Sequence, residues 1–364
     1  MPVLCPPVGV SRASVSGSAP GRVNLIGEHT DYNDGLVLPA VIPLRTTVEI
    51  SGRGDPLVRL QSESPGCAPA EALVTELRRT GTWADHVLGA VWALSADGRA
   101  LGGFDGVVRS DIPPGAGLAS SAALIVATLR ALRTLLDLSI DDHDVAALAH
   151  RAEVEFVGAR VGRMDQLVCS LGRPGEALFI DLRSGATEAV PLDALDADLV
   201  VIDSGIRHAH ATGAYHDRRE ECAAAARVLG VDTLRHVPDG HDLSRLPAVL
   251  QRRVRHVMSE NLRVEAAVIA LRAGDAAALG ELLLASHVSL RDDFEVSVPA
   301  IDRIVEAARR DAECYGARIT GGGFGGCVLL LTRRGVGRRV AARVLERAAV
   351  GGSVVLALAS RGSQ

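Results

Sequence analysis

The sequence predicts an α+β protein of two domains, on three observations. The chain has 364 residues, which suits two domains at about 100–200 residues each. Strand-like and helix-like segments follow one another without a regular βαβ rhythm, which argues against a doubly wound parallel sheet. Past residue 185 the pattern shifts from short mixed elements to long amphipathic helices, so the expected domains are 1–185 and 186–364.

Taken in order, the first ~60 residues read as short strands and turns, with LVLP and TTVEI runs broken by Gly, Asp-Gly and Pro. Asn33-Asp34-Gly35 is a hairpin-turn signal. Helix is expected over 70–96, strand over 104–109, and helix over 121–136, 142–157 and 163–171. Short apolar runs at 177–181 and 199–203 read as strands. Helices dominate 215–309, a strand pair is expected at 316–320 and 327–331, and a helix at 337–348 precedes a closing strand at 353–359.

Composition narrows the function classes. Apolar residues are 48% and charged residues 23%, the mix of a globular chain rather than a disordered one. A net charge of −5 argues against a nucleic-acid groove, which is normally basic. No apolar run approaches the ~18–20 residues that cross a bilayer. The N-terminal stretch MPVLCPPVGVSRASVSGSAPGR has Pro, Ser and Gly where a leader peptide needs an apolar core. The expectation is a cytoplasmic protein with no membrane or nucleic-acid partner, a monomer being favoured. Cys5, Cys67, Cys169, Cys222, Cys314 and Cys327 are dispersed without C-x-x-C or metal-ligand spacing, so they read as reduced structural thiols. Every basic residue is Arg. That excludes a Schiff-base lysine and the lysine of a Walker-type phosphate loop.

Three glycine-rich segments carry the chemistry. In the first, Asp111-Ile-Pro-Pro-Gly-Ala-Gly-Leu-Ala-Ser-Ser-Ala-Ala-Leu, Gly115 and Gly117 allow a tight turn and Ser120 and Ser121 open a helix. Unpaired N–H groups and the peptide dipoles make a helix start a natural phosphate cradle. An ordinary capped helix is the alternative. In the second, Thr320-Gly-Gly-Gly-Phe-Gly-Gly-Cys, Gly321, Gly323 and Gly326 match G-x-G-x-x-G, with Glu346 about twenty residues on. A dinucleotide fingerprint needs a helix next, and Val-Leu-Leu-Leu reads as strand, so a Rossmann site is rejected. Close backbone approach explains these glycines better. The third, Gly21-Arg-Val-Asn-Leu-Ile-Gly-Glu-His-Thr-Asp-Tyr-Asn, is dense in polar groups. Glu28, His29, Asp31 and Tyr32 cannot all be core. Carboxylates beside an Arg and a His suit a ligand with many hydroxyls, each able to donate and accept; a solvated turn is the bland alternative.

Together the three segments resemble the galactokinase family, in the GHMP kinase superfamily that includes homoserine and mevalonate kinases. Gly21–Pro39 looks like the galactokinase signature, Pro113–Ala123 like the superfamily's phosphate loop, and Gly316–Cys327 like its third motif. Gly162-Arg-Met-Asp-Gln, the run from Thr212 to Cys222, Val254-Arg-His-Val-Met-Ser-Glu-Asn and Ser286-His-Val-Ser-Leu-Arg-Asp-Asp resemble further family segments. The resemblance covers nearly the whole chain. It implies the GHMP-kinase fold, with an N-terminal α+β domain, a ferredoxin-like C-terminal domain and the active site between them. It also implies phosphoryl transfer from ATP, with Mg2+, to the anomeric hydroxyl of D-galactose, so that sugar and ATP are the small-molecule partners. A kinase for another or modified hexose is the same-class alternative. A non-catalytic galactokinase-like sensor is the other, and the presence of Arg22, Ser120, Ser121, Glu153 and Asp165 argues against it.

The roles the resemblance implies are as follows. Asp165 accepts the proton of the sugar hydroxyl, while Arg22 stabilises charge on the moving phosphoryl group and orients Asp165. Glu28, His29 and Asp31 hold sugar hydroxyls, with Thr30 and Gly162 contributing backbone and Tyr215 contacting the sugar from the second domain. Gly115, Ala116, Gly117, Leu118, Ala119, Ser120 and Ser121 bind ATP, and Ser62 stands where the family has a nucleotide-contacting serine. Ser121 and Glu153 match the metal positions. Helical periodicity alone leaves Glu153 and Glu155 equivalent, flanking the stripe Val145, Leu148, Ala149, Ala152 and Phe156; only the resemblance selects Glu153. Two departures stand out: Arg163 replaces an apolar residue common before Met-Asp-Gln, and Ala119 replaces a serine. Trp83 and Trp92 are expected in the core, and His86, His143, His150, His208, His210 and His287 are expected to be structural or exposed.

Overall fold

The computed structural model describes residues 14–206 and 211–359. Cys5, His208 and His210 lie outside the described residues. The chain begins with β1 (Val15–Asn24), a 3-10 turn (Asp31–Asn33), β2 (Leu36–Val37), β3 (Pro39–Gly52), β4 (Leu57–Ser62) and β5 (Ala70–Leu73). Next come α1 (Ala84–Ala96), β6 (Phe104–Ser110), α2 (Ser120–Leu135), α3 (Asp142–Arg151), a π-helical turn (Ala152–Val157) and α4 (Met164–Leu171). Three strands, β7 (Glu176–Asp181), β8 (Ala186–Pro191) and β9 (Ala197–Asp203), lead into α5 (Ala211–Leu229), α6 (Ala248–Ala273), α7 (Ala276–Asp292) and α8 (Pro299–Arg309). The last elements are β10 (Cys314–Thr320), β11 (Cys327–Arg333), α9 (Gly337–Ala348) and β12 (Ser353–Ala359).

Two compact units form, and neither is continuous in sequence. One comprises the chain up to Gly21 with Pro43–Pro113 and Ala119–Leu171; the other comprises Arg22–Ile42, Pro114–Leu118 and the chain from Gly172 onward. The two short segments in the second unit are the polar signature and the first glycine turn.

In the first unit β6 lies between β3 and β4, antiparallel to β3 (Val48↔Val108) and parallel to β4 (Leu60↔Gly106), and β5 closes the edge. Alternation sets the faces. Val48, Ile50, Val58, Leu60, Phe104 and Val108 are buried, as is the face of α2 carrying Ala122, Ile125, Val126 and Leu129. Helix α3 starts on a reciprocal capping box. Asp141 accepts from the Asp144 N–H at 2.8 Å, and Asp144 accepts from the Asp141 N–H at 3.1 Å.

In the second unit a four-stranded sheet runs β10-β11-β9-β12 with every neighbour antiparallel. Numbered along the chain, that is the 4-1-3-2 order of a ferredoxin-like sheet, as the resemblance implied. Val200, Ile202, Ala317, Ile319, Val328 and Leu330 form its core with Val340 and Val344 of α9. No described helix is long and apolar enough to cross a membrane, and no disulfide joins the described cysteines.

Four local expectations need correction. Helix occupies 84–96 but not the start of 70–96, where Ala70–Leu73 pairs with β4. Good helix formers there yield to strand pairing. Thr80 and Gly81 then turn the chain, each donating its N–H to the Asp85 carboxylate at 2.7 Å. Asn33-Asp34-Gly35 does turn, with Asp34 left-handed at φ 55°, but it joins no paired strands, since β2 pairs with β7. Strand β8 was not anticipated; most of its side chains are exposed, so it shows little alternation. Trp83 and Trp92 are half-buried rather than core: Trp83 donates to Ala68 O at 2.9 Å, and Trp92 lies against Phe156 at 5.9 Å.

The capping box gives a first prediction. Asp141→Ala is expected to cost ~1 kcal/mol of stability. A urea melt checks it, and an unchanged midpoint would show the box to be without effect.

Candidate active site

The polar signature folds into a buried loop, not a solvated turn. Its neck is closed by Leu25 N–H to Leu38 O at 3.1 Å and Leu38 N–H to Ile26 O at 3.0 Å. Thr30, fully buried, ties the interior. Its hydroxyl lies 2.8 Å from Gly27 O and 2.7 Å from Leu36 O, and its carbonyl accepts the N–H groups of Asn33 and Gly35 at 3.0 and 2.8 Å. Glu28 is also buried. Its Oε1 accepts the Gly321 N–H at 2.7 Å and the Thr320 hydroxyl at 3.0 Å, and its Oε2 accepts the Asn24 amide at 2.6 Å. The guanidinium of the fully buried Arg318 stands 3.4 Å away.

His29 sits in an aromatic nest. Its ring lies 4.7 Å from Phe294 and 5.4 Å from Tyr215, and Nδ1 is 2.8 Å from the Tyr32 hydroxyl. Nε2 is buried and finds no protein hydrogen bond. Burial, reinforced by nearby His256, Arg218 and Arg318, pushes this imidazole well below its ordinary pKa. Burial also pushes the Tyr32 phenol well up. Asp31 and Tyr215 are half-buried.

In the same unit the two glycine turns face each other. Arg22 fixes the first by donating its N–H to Leu118 O at 3.1 Å and Nη1 to Gly117 O at 2.5 Å. The Cys327 thiol reaches Ala116 O at 3.1 Å. A Cβ on Gly321 would lie 3.4 Å from Gly117 O, and both residues have left-handed φ, 88° and 75°. The left-handed backbone favours glycine at both positions, while the space itself would admit a Cβ in ordinary contact. Gly115, Ala116, Gly117, Thr320, Gly323 and Phe324 line a cavity of about 270 Å³.

The first unit assembles the acidic groups. Ala119, left-handed at φ 60°, leads into α2, which Ser120 and Ser121 open. The Ser121 hydroxyl donates to Glu153 Oε1 at 2.8 Å, and the Gln166 amide donates to Glu153 Oε2 at 2.6 Å. These bonds join α2, the π turn and α4, and they bring Ser121, Glu153 and the first turn of α4, with Asp165, into one cluster. Burial pushes the Glu153 carboxyl up, the Ser121 and Gln166 bonds and His86 oppose it, and Asp165 adds to it. Glu155 is exposed and pairs with Arg151 at 3.3 Å. Gly162 is buried, Arg163 exposed, and Ser62 half-buried at the end of β4, accepting from Ser64 N–H at 3.2 Å. Ser121 and Glu153 offer the hard oxygens that could hold Mg2+. Among the described residues no three His, Cys, Asp or Glu side chains form a metal cluster.

Several contributors carried no role at the sequence level. Gln166 stood at the end of a quoted motif. His256, Glu260 and Asn261 of α6 stood in another, and all three reach the signature loop. His256 Nε2 is 3.0 Å from Glu28 O, Glu260 Oε1 accepts Gly27 N–H at 3.0 Å, and Asn261 Oδ1 accepts Leu36 N–H at 2.7 Å. The resemblance of that segment was their only signal.

Comparison with known proteins agrees with this geometry. The galactokinase galactose-binding signature matches residues 9–52, the GHMP kinase N-terminal domain residues 85–173 and the GHMP kinase C-terminal domain residues 267–350. A galactokinase of Roseiflexus sp. (strain RS-1) is 45% identical over 87% of this chain and 83% of its own. A galactokinase of Streptomyces coelicolor is 42% identical over 86% and 83%. The crystal structure of Lactococcus lactis galactokinase complexed with galactose superposes with a TM-score of 0.90 at 31% identity, over 97% of this chain and 95% of that one. Methanococcus jannaschii mevalonate kinase, 18% identical with a TM-score of 0.69 over 96% of this chain and 99% of that one, shares the fold. The chain therefore belongs to the galactokinase family of GHMP kinases and has that family's two-domain α+β fold.

Proposed function

We propose that this chain transfers the γ-phosphoryl group of ATP to the C1 hydroxyl of D-galactose, giving galactose 1-phosphate and ADP. The chain is an ATP-dependent sugar kinase by family. The buried polar signature loop, in a chain so similar to a galactokinase crystallised with galactose, carries the choice of sugar. A polyol needs acceptors and donors held rigidly, and a buried loop supplies both.

On this reading Glu28, His29 and Asp31 hold the sugar hydroxyls, with Tyr215 against the ring and Thr30 and Gly162 contributing main chain. Nε2 of His29, which has no hydrogen bond of ordinary length although the Gly322 main chain acts on the ring, supports this assignment. Asp165, in the first turn of α4, takes the proton from the attacking hydroxyl. Arg22 meets the charge on the moving phosphoryl group. Residues Gly115–Ser121 cradle the ATP phosphates and Ser62 contacts the nucleotide.

Mg2+ fits the acidic cluster. Ser121 Oγ and Glu153 Oε1 are adjacent hard oxygens, and the buried Oε1 of Gln166 has no protein donor. Mg2+ usually takes one or two protein ligands and completes its shell with water and phosphate oxygens. When bound it neutralises phosphate charge. Ser121 and Glu153 hold it, and a neighbouring cation would offset the burial that now raises Glu153. A cytoplasmic monomer acting on small molecules alone, with a division near residue 185, completes the proposal.

The deciding experiment is a sugar panel with ATP and Mg2+, read by coupled ADP release. Galactose is expected to be the best acceptor; turnover of an N-acetylated or deoxygenated hexose without galactose would overturn the substrate and point to Arg163. Asp165→Ala is expected to lower kcat by about 10²–10⁴-fold with ATP binding nearly intact. Near-normal kcat would remove Asp165 from the mechanism. Glu153→Gln is expected to shift the Mg2+ titration of the rate to higher concentration, and an unmoved curve would count against its ligand role.

A further inference from the structure

His29 is held in a backbone conformation that a non-glycine residue seldom adopts, φ 63°. Such strain persists only where the surroundings over-determine it. The peptide plane between Glu28 and His29 sets that φ, and one side chain grips this plane. The Glu28 carbonyl can only accept, so His256 Nε2, 3.0 Å away, carries the proton and donates. Nδ1 is then the acceptor, and the Ser289 hydroxyl donates to it at 2.9 Å. Burial holds the His256 imidazole at about 4, against the pull of Glu260 and the Glu28 carbonyl, so this neutral tautomer persists at neutral pH. The His256 ring also lies 4.5 Å from Phe294, which packs against His29 as well.

The grip has two flanking anchors on the same helix. Glu260 takes the Gly27 N–H and is itself fixed by the Ser286 hydroxyl at 2.6 Å and Arg263 Nε at 2.7 Å. Asn261 takes the Leu36 N–H, and its amide group donates back to Val257 O at 2.8 Å. All three side chains are buried. Buried polar and charged groups are a poor route to stability, and in some proteins they serve to impose one geometry. Gly27 and Glu28 lie outside any strand and Leu36 only begins β2, so these main-chain groups draw on side-chain partners.

We propose that His256 is a positioning residue for the sugar acceptor: with Glu260 and Asn261 it clasps the loop 27–36 and locks the Glu28–His29 peptide so that both side chains present their polar atoms to the sugar. The inference rests on the reading that Glu28 and His29 hold sugar hydroxyls. His256 touches no reacting atom.

The test compares His256→Leu, which keeps bulk but loses the donor, with His256→Gln, whose amide can donate from nearly the same place. Rates are measured against the sugar that the panel selects and against ATP, alongside melting temperature and hydrogen exchange of the 27–36 amides. His256→Leu is expected to raise the sugar KM about tenfold, ~1.4 kcal/mol, with the ATP KM unchanged and exchange at 27–36 faster. His256→Gln is expected to recover most of the sugar affinity and the protection. An unchanged sugar KM in the Leu variant overturns the proposal. So does a parallel rise of both KM values with no recovery in the Gln variant, the mark of general destabilisation. If the wild-type enzyme turns over no sugar, the substrate reading falls on its own, and exchange still decides the clasp: unaltered protection in His256→Leu overturns it.

Discussion

The second unit's site depends on one buried carboxylate. Glu28 lies beneath the surface with Arg318 and takes hydrogen bonds from Asn24, Thr320 and the Gly321 main chain. Burying an ionised carboxylate costs several kcal/mol unless its lone pairs are met. The surrounding chain must therefore deliver donors to it. Thr320 and Gly321 end β10 and begin the glycine turn, so meeting the needs of Glu28 fixes where that turn stands. The turn in turn faces Gly117, which Arg22 holds from the far end of the signature segment. A single electrostatic requirement thus sets the polar loop and both glycine turns in one register. A glutamine in place of Glu28 would supply one acceptor and one donor where two acceptors are required, and one of its partners would be left buried and unmet.

In the first unit the equivalent constraint is a change of helical pitch. Helix α3 ends at Arg151 and the chain continues as a π turn through Val157. Such turns are uncommon and often accompany functional groups. Here the wider turn buries Glu153 and leaves Glu155 in solvent. On a regular helical wheel the two acids flank the apolar stripe equally, so the periodicity that locates the helix could not choose between them. Resemblance to a family could single out Glu153 because it compares positions and does not assume a pitch; the π turn then separates the two acids by burial.

That contrast describes what could be read from the residues. Elements with strong local periodicity, such as α2, α9 and the β10–β11 pair, were legible because their signal lies within a dozen neighbouring residues. Ala70–Leu73 was not, because its strand state comes from pairing with β4 against its own helix propensity. The glycine segments were legible as close-approach turns, since few other residues accept those dihedrals. Why Glu28 is buried was not legible: its partners at 320 and 321 are 292 and 293 residues away. Glu260 is likewise 233 residues from the amide it satisfies. Non-local polar bonds leave no periodic trace, so the signature suggested sugar chemistry without revealing what holds it in shape.

A chain without lysine must also handle phosphate charge differently from one with a Walker loop. An ammonium is a mobile point charge on a flexible stem, while a guanidinium is a planar fork that arrives already oriented. Arg22 illustrates the consequence. It bonds the carbonyl of Gly117, so the first glycine turn and this guanidinium are set together. The cavity beside it is lined mainly by glycines, with few side-chain donors, so any anion bound there, as the proposed function requires of ATP, would meet mainly main-chain N–H groups. Main-chain dipoles have no rotamers to lose on binding. On the proposed reading, the first unit's share of the chemistry is Asp165 and the Mg2+ that Ser121 and Glu153 would hold. Those groups are the ones the first unit gathers around a single buried carboxylate.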